Sequence, residues 1–344
     1  MHGDLRHGPA GALLEGMETL RSDPSTRNSR WTREPVIGRA GAAVAVYPAE
    51  RDIEIFKLLV RYRYLAADYI HAFLGGNQKA LSHRLNLLSR KPNLYLARPH
   101  QQRQCADANY RRLIYELDER GSRVLRERGL PHLPRSYHRN FSHELMVAQI
   151  TASIELGTRA NQSVRLITWP EILASENTPR ATRESATPAS IRVSYSLRGE
   201  TLSSEITADA QPFGLERTVD GKRSYLFFPG IEADCGTEPI DAGDADRSSI
   251  AKKFAAYTAI AEQAIYRSHF GFPNFFVPFV TSSAARTRSM MELLDRLTGG
   301  RGSKMFLFKV LPSFTSPDKP PPASGHMLTE PWQRAGFPPL RLDR

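Results

Sequence analysis

Apolar positions recur most regularly between Arg51 and Arg90. Ile53, Phe56, Leu59 and Val60 fall at helical spacing and predict one apolar stripe on a first helix. A second, short helix is expected from Tyr64, carrying Leu65, Tyr69, Ile70 and Phe73 until Gly75-Gly76 breaks it. A third, from Gln78 to Arg90, turns Leu81, Leu85 and Leu88 inward. That leaves Gln78, Lys79, Ser82, His83, Arg84, Asn86 and Arg90 for solvent or a partner. Helix, short helix, glycine turn and polar-basic third helix is the layout of a helix-turn-helix.

Residues 94–98 and 111–117 read as strands around a turn region at 99–109, and a hairpin in that place is a wing. Arg98, Arg111 and Arg112 stand on it. One more helix is expected over 119–129, closed by Gly129. The unit predicted for residues 51–135 is a winged helix, although a three-helix core with a solvated basic face would show the same pattern.

After residue 136 the pattern changes. A helix is expected over 142–157, with Ser142 as its cap and Gly157 as its stop. Strand candidates follow at 164–169, 191–197, 206–210, 224–228 and 230–234, with a polar loop at 178–190. A long helix at 248–269, a strand at 275–281, a helix at 284–298 and a strand at 305–310 complete a mixed α/β domain over 136–310. The expected fold class is therefore α+β. Residues 1–50 lack a sustained period and read as a disordered arm with one short helix near 13–20. Residues 311–344, with Pro317, Pro320, Pro321 and Pro322, read as a Pro-rich tail in which Trp332 and Leu340 could still dock.

Charge sharpens this division. The net charge is +11, and residues 51–135 hold 17 Lys+Arg against 8 Asp+Glu, whereas residues 136–310 hold 20 against 19. The basic excess sits on the expected winged helix, which points to a polyanion, double-stranded DNA, as its partner. Cys105 and Cys235 fall in different expected domains, which argues against a disulfide framework or a cysteine zinc site. No apolar run is long enough to span a bilayer, and the N-terminus lacks signal-peptide order, so the expected location is the cytoplasm.

The second domain carries the candidate chemistry. Asp209 ends a strand candidate, and Glu232 and Asp234 alternate with apolar neighbours, so both share one strand face. Lys252 and Lys253 open the next helix, and Glu144 lies in the first turn of the domain's first helix. Helix, acidic strand end, acidic strand and lysine is the order of the PD-(D/E)XK nuclease core. There, carboxylates such as Asp209, Glu232 and Asp234 would hold Mg²⁺ or Mn²⁺, and a lysine would stabilise developing charge. Asp234 occupies the position where that pattern has lysine, so Lys252 or Lys253 would supply the amine from the helix. The alternatives are a degenerate site kept as a scaffold, or carboxylates that only pair with basic neighbours.

Together, the winged-helix pattern, Ala208-Asp209-Ala210, the string from Ile231-Glu232-Ala233-Asp234 through Thr237-Glu238-Pro239, and Lys253 with Tyr257 resemble the replication-relaxation family. The resemblance covers roughly residues 50–310. It implies a protein of plasmids, integrated elements or phages that acts in replication or mobilisation. A relaxase, a replication protein or a second protomer would be its partner. A transcription regulator with a dimerisation domain is the other binding role, and a metal-dependent nickase the enzymatic one.

Overall fold

A computed structural model of the chain describes residues 32–104, 112–132, 140–242, 249–311, 314 and 321–344. Glu50–Tyr62 forms the first helix, α1, and Asp52 closes its start by accepting the Ala49 amide at 2.8 Å. Tyr64 does not open a helix. Leu65–Ala66 is instead a short strand, β1, whose extended backbone gains ladder partners in Tyr115 and Ile114. The second helix, α2, therefore starts later and spans Ala67–Leu74. Gly75 and Gly76 turn the chain at φ 63° and 80°, where a side chain would be strained. Arg51 donates to the Gly75 carbonyl at 2.5 Å, which fixes that turn from α1. The third helix, α3, covers Gln78–Leu88, and the Asn77 side chain accepts the Ala80 amide at 2.9 Å.

Leu96–Ala97 (β2) and Ile114–Leu117 (β3) pair antiparallel, and β3 lies between β1 and β2. Glu119–Glu127 (α4) follows, capped by Asp118. The apolar stripes of α1, α2 and α3 meet β2, β3 and Leu125 of α4 in one core. Residues 105–111, which include Arg111 and Cys105, and the helix expected at 13–20 lie outside the described residues.

Residues 32–49 were expected to be disordered, yet they form a strap across this module. The Val44 amide donates to Val36 O at 2.8 Å. The buried Asn93 side chain donates to Val44 O and Leu87 O, each at 3.0 Å, and accepts the Val46 amide at 2.8 Å. Arg33 pairs with Asp118 at 2.7 Å. One buried side chain thus satisfies backbone groups that a sequence without period leaves unassigned.

The second part begins with Phe141–Ala160 (α5), capped by Asn140 rather than Ser142. Gly157 does not stop it. A Cβ there would lie 2.6 Å from the Leu328 Cβ, so this glycine admits a neighbouring helix. Ala148, Ala152 and Leu156 of α5 belong to the first module's core, while Met146, Ile150 and Ile154 belong to another core. The helix is therefore a wall shared by both, and its lack of a single apolar stripe follows.

Beyond it run Val164–Ile167 (β4), Trp169–Ala174 (α6), Arg180–Arg183 (α7), Ile191–Leu197 (β5), Glu200–Ile206 (β6), Phe213–Val219 (β7), Lys222–Phe228 (β8) and Glu232–Asp234 (β9). Ile250–Glu262 (α8) and Ile265–Phe270 (α9) replace the single helix expected at 248–269. The chain breaks at Ala264, whose φ is 52°. Val277–Thr281 (β10), Ala284–Leu297 (α10), Phe306–Val310 (β11), His326–Thr329 (α11), Trp332–Arg334 (β12) and Phe337–Leu340 (β13) complete the described chain.

The largest sheet has the order β13-β12-β11-β10-β9, with β9, β10 and β11 parallel. Both faces are covered. Val277, Phe279, Phe306 and Phe308 pack toward α8, α10 and the β5–β6 hairpin, whereas Val280 and Leu307 pack toward α5, β7 and β8. This alternation explains why β10 and β11 read as unbroken apolar runs.

The expected loose tail is corrected over 321–344. Trp332 is fully buried and donates to Met327 O at 2.8 Å, while Lys309 reaches His326 O at 2.9 Å. The apolar gain of covering α5 and extending the sheet outweighs the freedom that proline-rich composition suggested. The whole is a mixed α+β fold with small sheets and, among the described residues, eleven α-helices. None of these helices is long and apolar enough to cross a membrane.

Candidate functional site

The polar side of α3 is the first candidate surface. Gln78, Lys79, Ser82 and His83 are exposed, while Leu81, Leu85 and Leu88 are buried beneath them. Arg84 departs from the expectation. Its guanidinium holds Asp52, with Nη2 2.6 Å from Oδ2, and also donates to Tyr47 O at 2.8 Å. Asp52 is buried, so its charge draws Arg84 against α1 instead of leaving it extended to solvent. Asn86 is half-buried, and its Oδ1 accepts from Arg98 Nη2 at 2.8 Å. Arg98 also lies over the Tyr115 ring, 5.7 Å from its centre. Burial and the Arg98 charge lower the pKa of Arg90. Arg112 forms an ion pair with Asp68.

The second candidate surrounds β9. Asp209 lies against its open edge, where its amide donates to Ile231 O at 3.0 Å and its Oδ2 accepts the Ala233 amide at 2.8 Å. One residue thus supplies both the donor and the acceptor that a neighbouring strand would provide. His143, from the first turn of α5, places Nε2 3.2 Å from the same carboxylate.

Glu232 is buried and faces α8. Lys253 Nζ lies 2.8 Å from Oε2, and the Tyr257 hydroxyl donates to Oε1 at 2.5 Å. Lys253 also reaches Glu238 at 3.1 Å. Asp234 shares the face of Glu232 but is taken by Arg286 of α10, whose Nη2 donates to Oδ1 at 2.9 Å and whose Nε donates to Oδ2. Arg286 bonds the Glu238 carbonyl as well.

These contacts set the protonation. Burial raises the Glu232 pKa despite the opposing Lys253 charge. Burial would lower that of Lys253, but the Glu232 and Glu238 charges outweigh it and hold the ammonium above its usual value. Burial, reinforced by the Glu232 charge, pushes the Tyr257 hydroxyl well up, so it serves as a donor. For Asp209, burial pushes upward, yet the His143 hydrogen bond and the Lys253 charge bring it below the ordinary carboxylate value. His143 is raised, chiefly by its bond to Asp209.

A hard divalent ion needs several oxygens turned toward one point. Here each of Asp209, Glu232 and Asp234 is committed to a different basic side chain. Among the described residues, no three His, Cys, Asp or Glu side chains are grouped to hold a metal ion. The expected Mg²⁺ or Mn²⁺ site does not fit this arrangement, because charge that a metal would balance is already balanced from within the chain. Glu144 pairs with Arg63 at 2.6 Å. Of the two lysines proposed, Lys253 is the one on Glu232, while the Lys252 amide is capped by Ser249 Oγ at 3.4 Å.

Sequence reasoning took His143 for a surface or packing histidine and missed Arg286. A signal for the second existed: Thr281 of β10 is paired with Asp234, and α10 begins just after it. Arg286 in the first turn of α10 thus lies beside that carboxylate.

The two candidate surfaces are joined by α1 and α5. Glu155 of α5 takes Arg61 at 2.9 Å, Arg159 at 2.8 Å and the Tyr62 hydroxyl, and Glu144 takes Arg63. Beside these pairs a cavity of about 830 Å³ reaches from Arg61 and Arg63 past His143 to Asp209.

No curated protein and no solved structure matches the chain. A family model described as replication-relaxation matches residues 56–274, from within α1 to the turn after α9. The match takes in α3, the shared helix and β9 with Asp209, Lys253 and Tyr257, well over half of the sequence, and the chain belongs to the replication-relaxation family.

Proposed function

We propose that the chain is a double-stranded DNA-binding protein of a plasmid or other mobile element, acting in its replication, mobilisation or relaxation. In this reading residues 51–135 are a winged helix, α3 enters the major groove and the β2–β3 hairpin is the wing. One observation carries it: the exposed face of Gln78, Lys79, Ser82 and His83, on the segment that holds nearly all the excess positive charge. Lys79 holds a phosphate, while Gln78 and Ser82 meet base edges. Asn86 joins them once Arg98 releases its carboxamide. The second domain, with the element order of a PD-(D/E)XK core, serves as a scaffold for a relaxase, a replication protein or a second protomer. Its carboxylates lock β9 to α5, α8 and α10.

The test is a titration of labelled duplex with the full chain at several salt concentrations. Affinity should fall with a log–log slope of about −0.9 per phosphate neutralised, and Lys79→Ala should flatten it by about one contact. Gln78→Ala should cost roughly 1–3 kcal/mol on a preferred duplex and little on others. Absence of salt-sensitive binding overturns the proposal. The scaffold reading is set against the metal-dependent nickase that the order of Asp209, Glu232, Asp234 and Lys253 in the sequence suggests. Supercoiled plasmid incubated with the protein and Mg²⁺ or Mn²⁺ should stay intact under the scaffold reading, and nicks would establish the other.

A further inference from the structure

The strap before α1 contains a small, exposed hairpin. Ile37 and Ala43 bridge, Gly38 donates its amide to Ala42 O at 2.9 Å, and Gly41 donates to Gly38 O at 3.0 Å. Between the glycines stands Arg39, exposed and without an ion-pair partner among the described residues. Ile37 is 58% exposed and Tyr47 87%, although both belong to a segment pinned in place. By contrast, the strap's one acidic residue, Glu34, is paired with Lys91 at 3.5 Å, and Glu50 at the start of α1 is paired with Arg128 at 2.7 Å.

The strap runs along the flank of α3. Asn93 ties it to the Leu87 carbonyl near the helix's C-terminal end, and Arg84, next to His83, holds the Tyr47 carbonyl. A groove-bound α3 would bring the strap to the neighbouring backbone and groove.

The tip is slim. From residue 38 to 43 it reads Gly-Arg-Ala-Gly-Ala-Ala, with one long side chain. The minor groove, about 6 Å wide, is too narrow for a helix or a two-stranded ribbon, but single side chains presented by a slim tip can enter it. Its concentrated negative potential over A·T tracts favours an inserted guanidinium, and apolar side chains beside it fit the base steps.

We propose that residues 36–47 form a second DNA-contact element. Arg39 and Ile37 enter the minor groove next to the α3 site, and the Tyr47 hydroxyl donates to a backbone phosphate. This rests on the reading of α3 as a DNA-contact helix, and the experiment separates the two.

Full-length wild type, Arg39→Ala and Lys79→Ala are titrated against a fluorescent duplex containing an A·T tract, with and without saturating netropsin, which occupies the minor groove. Netropsin should weaken wild type about tenfold. Arg39→Ala should show a similar loss without netropsin and little further loss with it. Lys79→Ala should bind less tightly yet keep its netropsin sensitivity. Wild-type binding that ignores netropsin, or an Arg39→Ala protein that binds like wild type, overturns the hairpin assignment and leaves α3 standing. An Arg39→Ala protein that is weakened but still sensitive to netropsin would put Arg39 on phosphates, which also overturns the minor-groove assignment. Failure of wild type to bind the duplex at all overturns both readings.

Discussion

Lys79 and Arg84 lie little more than one turn apart on α3 and carry the same charge, yet their surroundings give them opposite roles. Lys79 is exposed, whereas Arg84 neutralises the buried Asp52. Arg84→Ala should lower stability by about 2–3 kcal/mol, because it strands a buried carboxylate. Lys79→Ala should leave thermal unfolding unchanged while weakening DNA binding. A melt and a titration on each variant check this, and the reverse pattern would remove Arg84 from the core. Helical spacing could assign Leu81, Leu85 and Leu88 to the interior, but it could not tell these two cations apart. Which one is tied down depends on Asp52, far away in sequence and fixed only once α1 and α3 pack. His143, with no metal-ligand spacing to another histidine, read as a surface or packing residue for the same reason, since its partner Asp209 comes from another element. The pair has a definite pH signature. Asp209 is lowered, so its contribution is present above the ordinary carboxylate pKa and is lost as pH falls through its folded value. His143 is raised, so its contribution is complete below about 6.5 and fades as pH climbs past its folded value. Chemical denaturation should therefore show that His143→Ala loses more stability near pH 5.5 than near pH 8.5, by about 1 kcal/mol at this partly exposed site. An equal loss at both would mean that His143 contributes packing alone.

Elements were legible where one pattern governed them. The first and third helices, the hairpin after them and the apolar runs of β10 and β11 all follow from spacing. β6 and β7 did not. The sequence of β6, Glu-Thr-Leu-Ser-Ser-Glu-Ile, is mostly polar, and its pairing with β5 alone makes it a strand. β7 gains its identity between β4 and β8. Glycine at position 157 misled for a related reason, since the feature that looks like a helix stop is a packing notch against α11. Gly157→Ala should destabilise by more than about 1 kcal/mol even though alanine favours helix, because a Cβ would meet Leu328 Cβ at 2.6 Å and the Gly325 carbonyl at 3.1 Å. Thermal denaturation decides it, and a stabilised variant would show that α11 yields easily.

At the scale of the whole molecule, the boundary expected near residue 136 runs beside a helix that two cores share. Glu144 and Glu155 fasten α5 to α1, so movement at α3 is resisted by the wall that also carries His143. The last described stretch deepens this mutual dependence. Pro322 receives the Tyr69 hydroxyl at 3.0 Å, Ser324 receives that of Ser153 at 2.5 Å, and β12 pairs with β11. Both cores thus wait on residues that leave the ribosome after the helices and strands they complete. Until they emerge, α5 has one face bare and β11 offers an unpaired edge to any strand nearby. A chain stalled or released before residue 321 is then a sticky fragment and not a shorter working protein, and the nascent molecule depends on whatever shields that edge until β12 has been made.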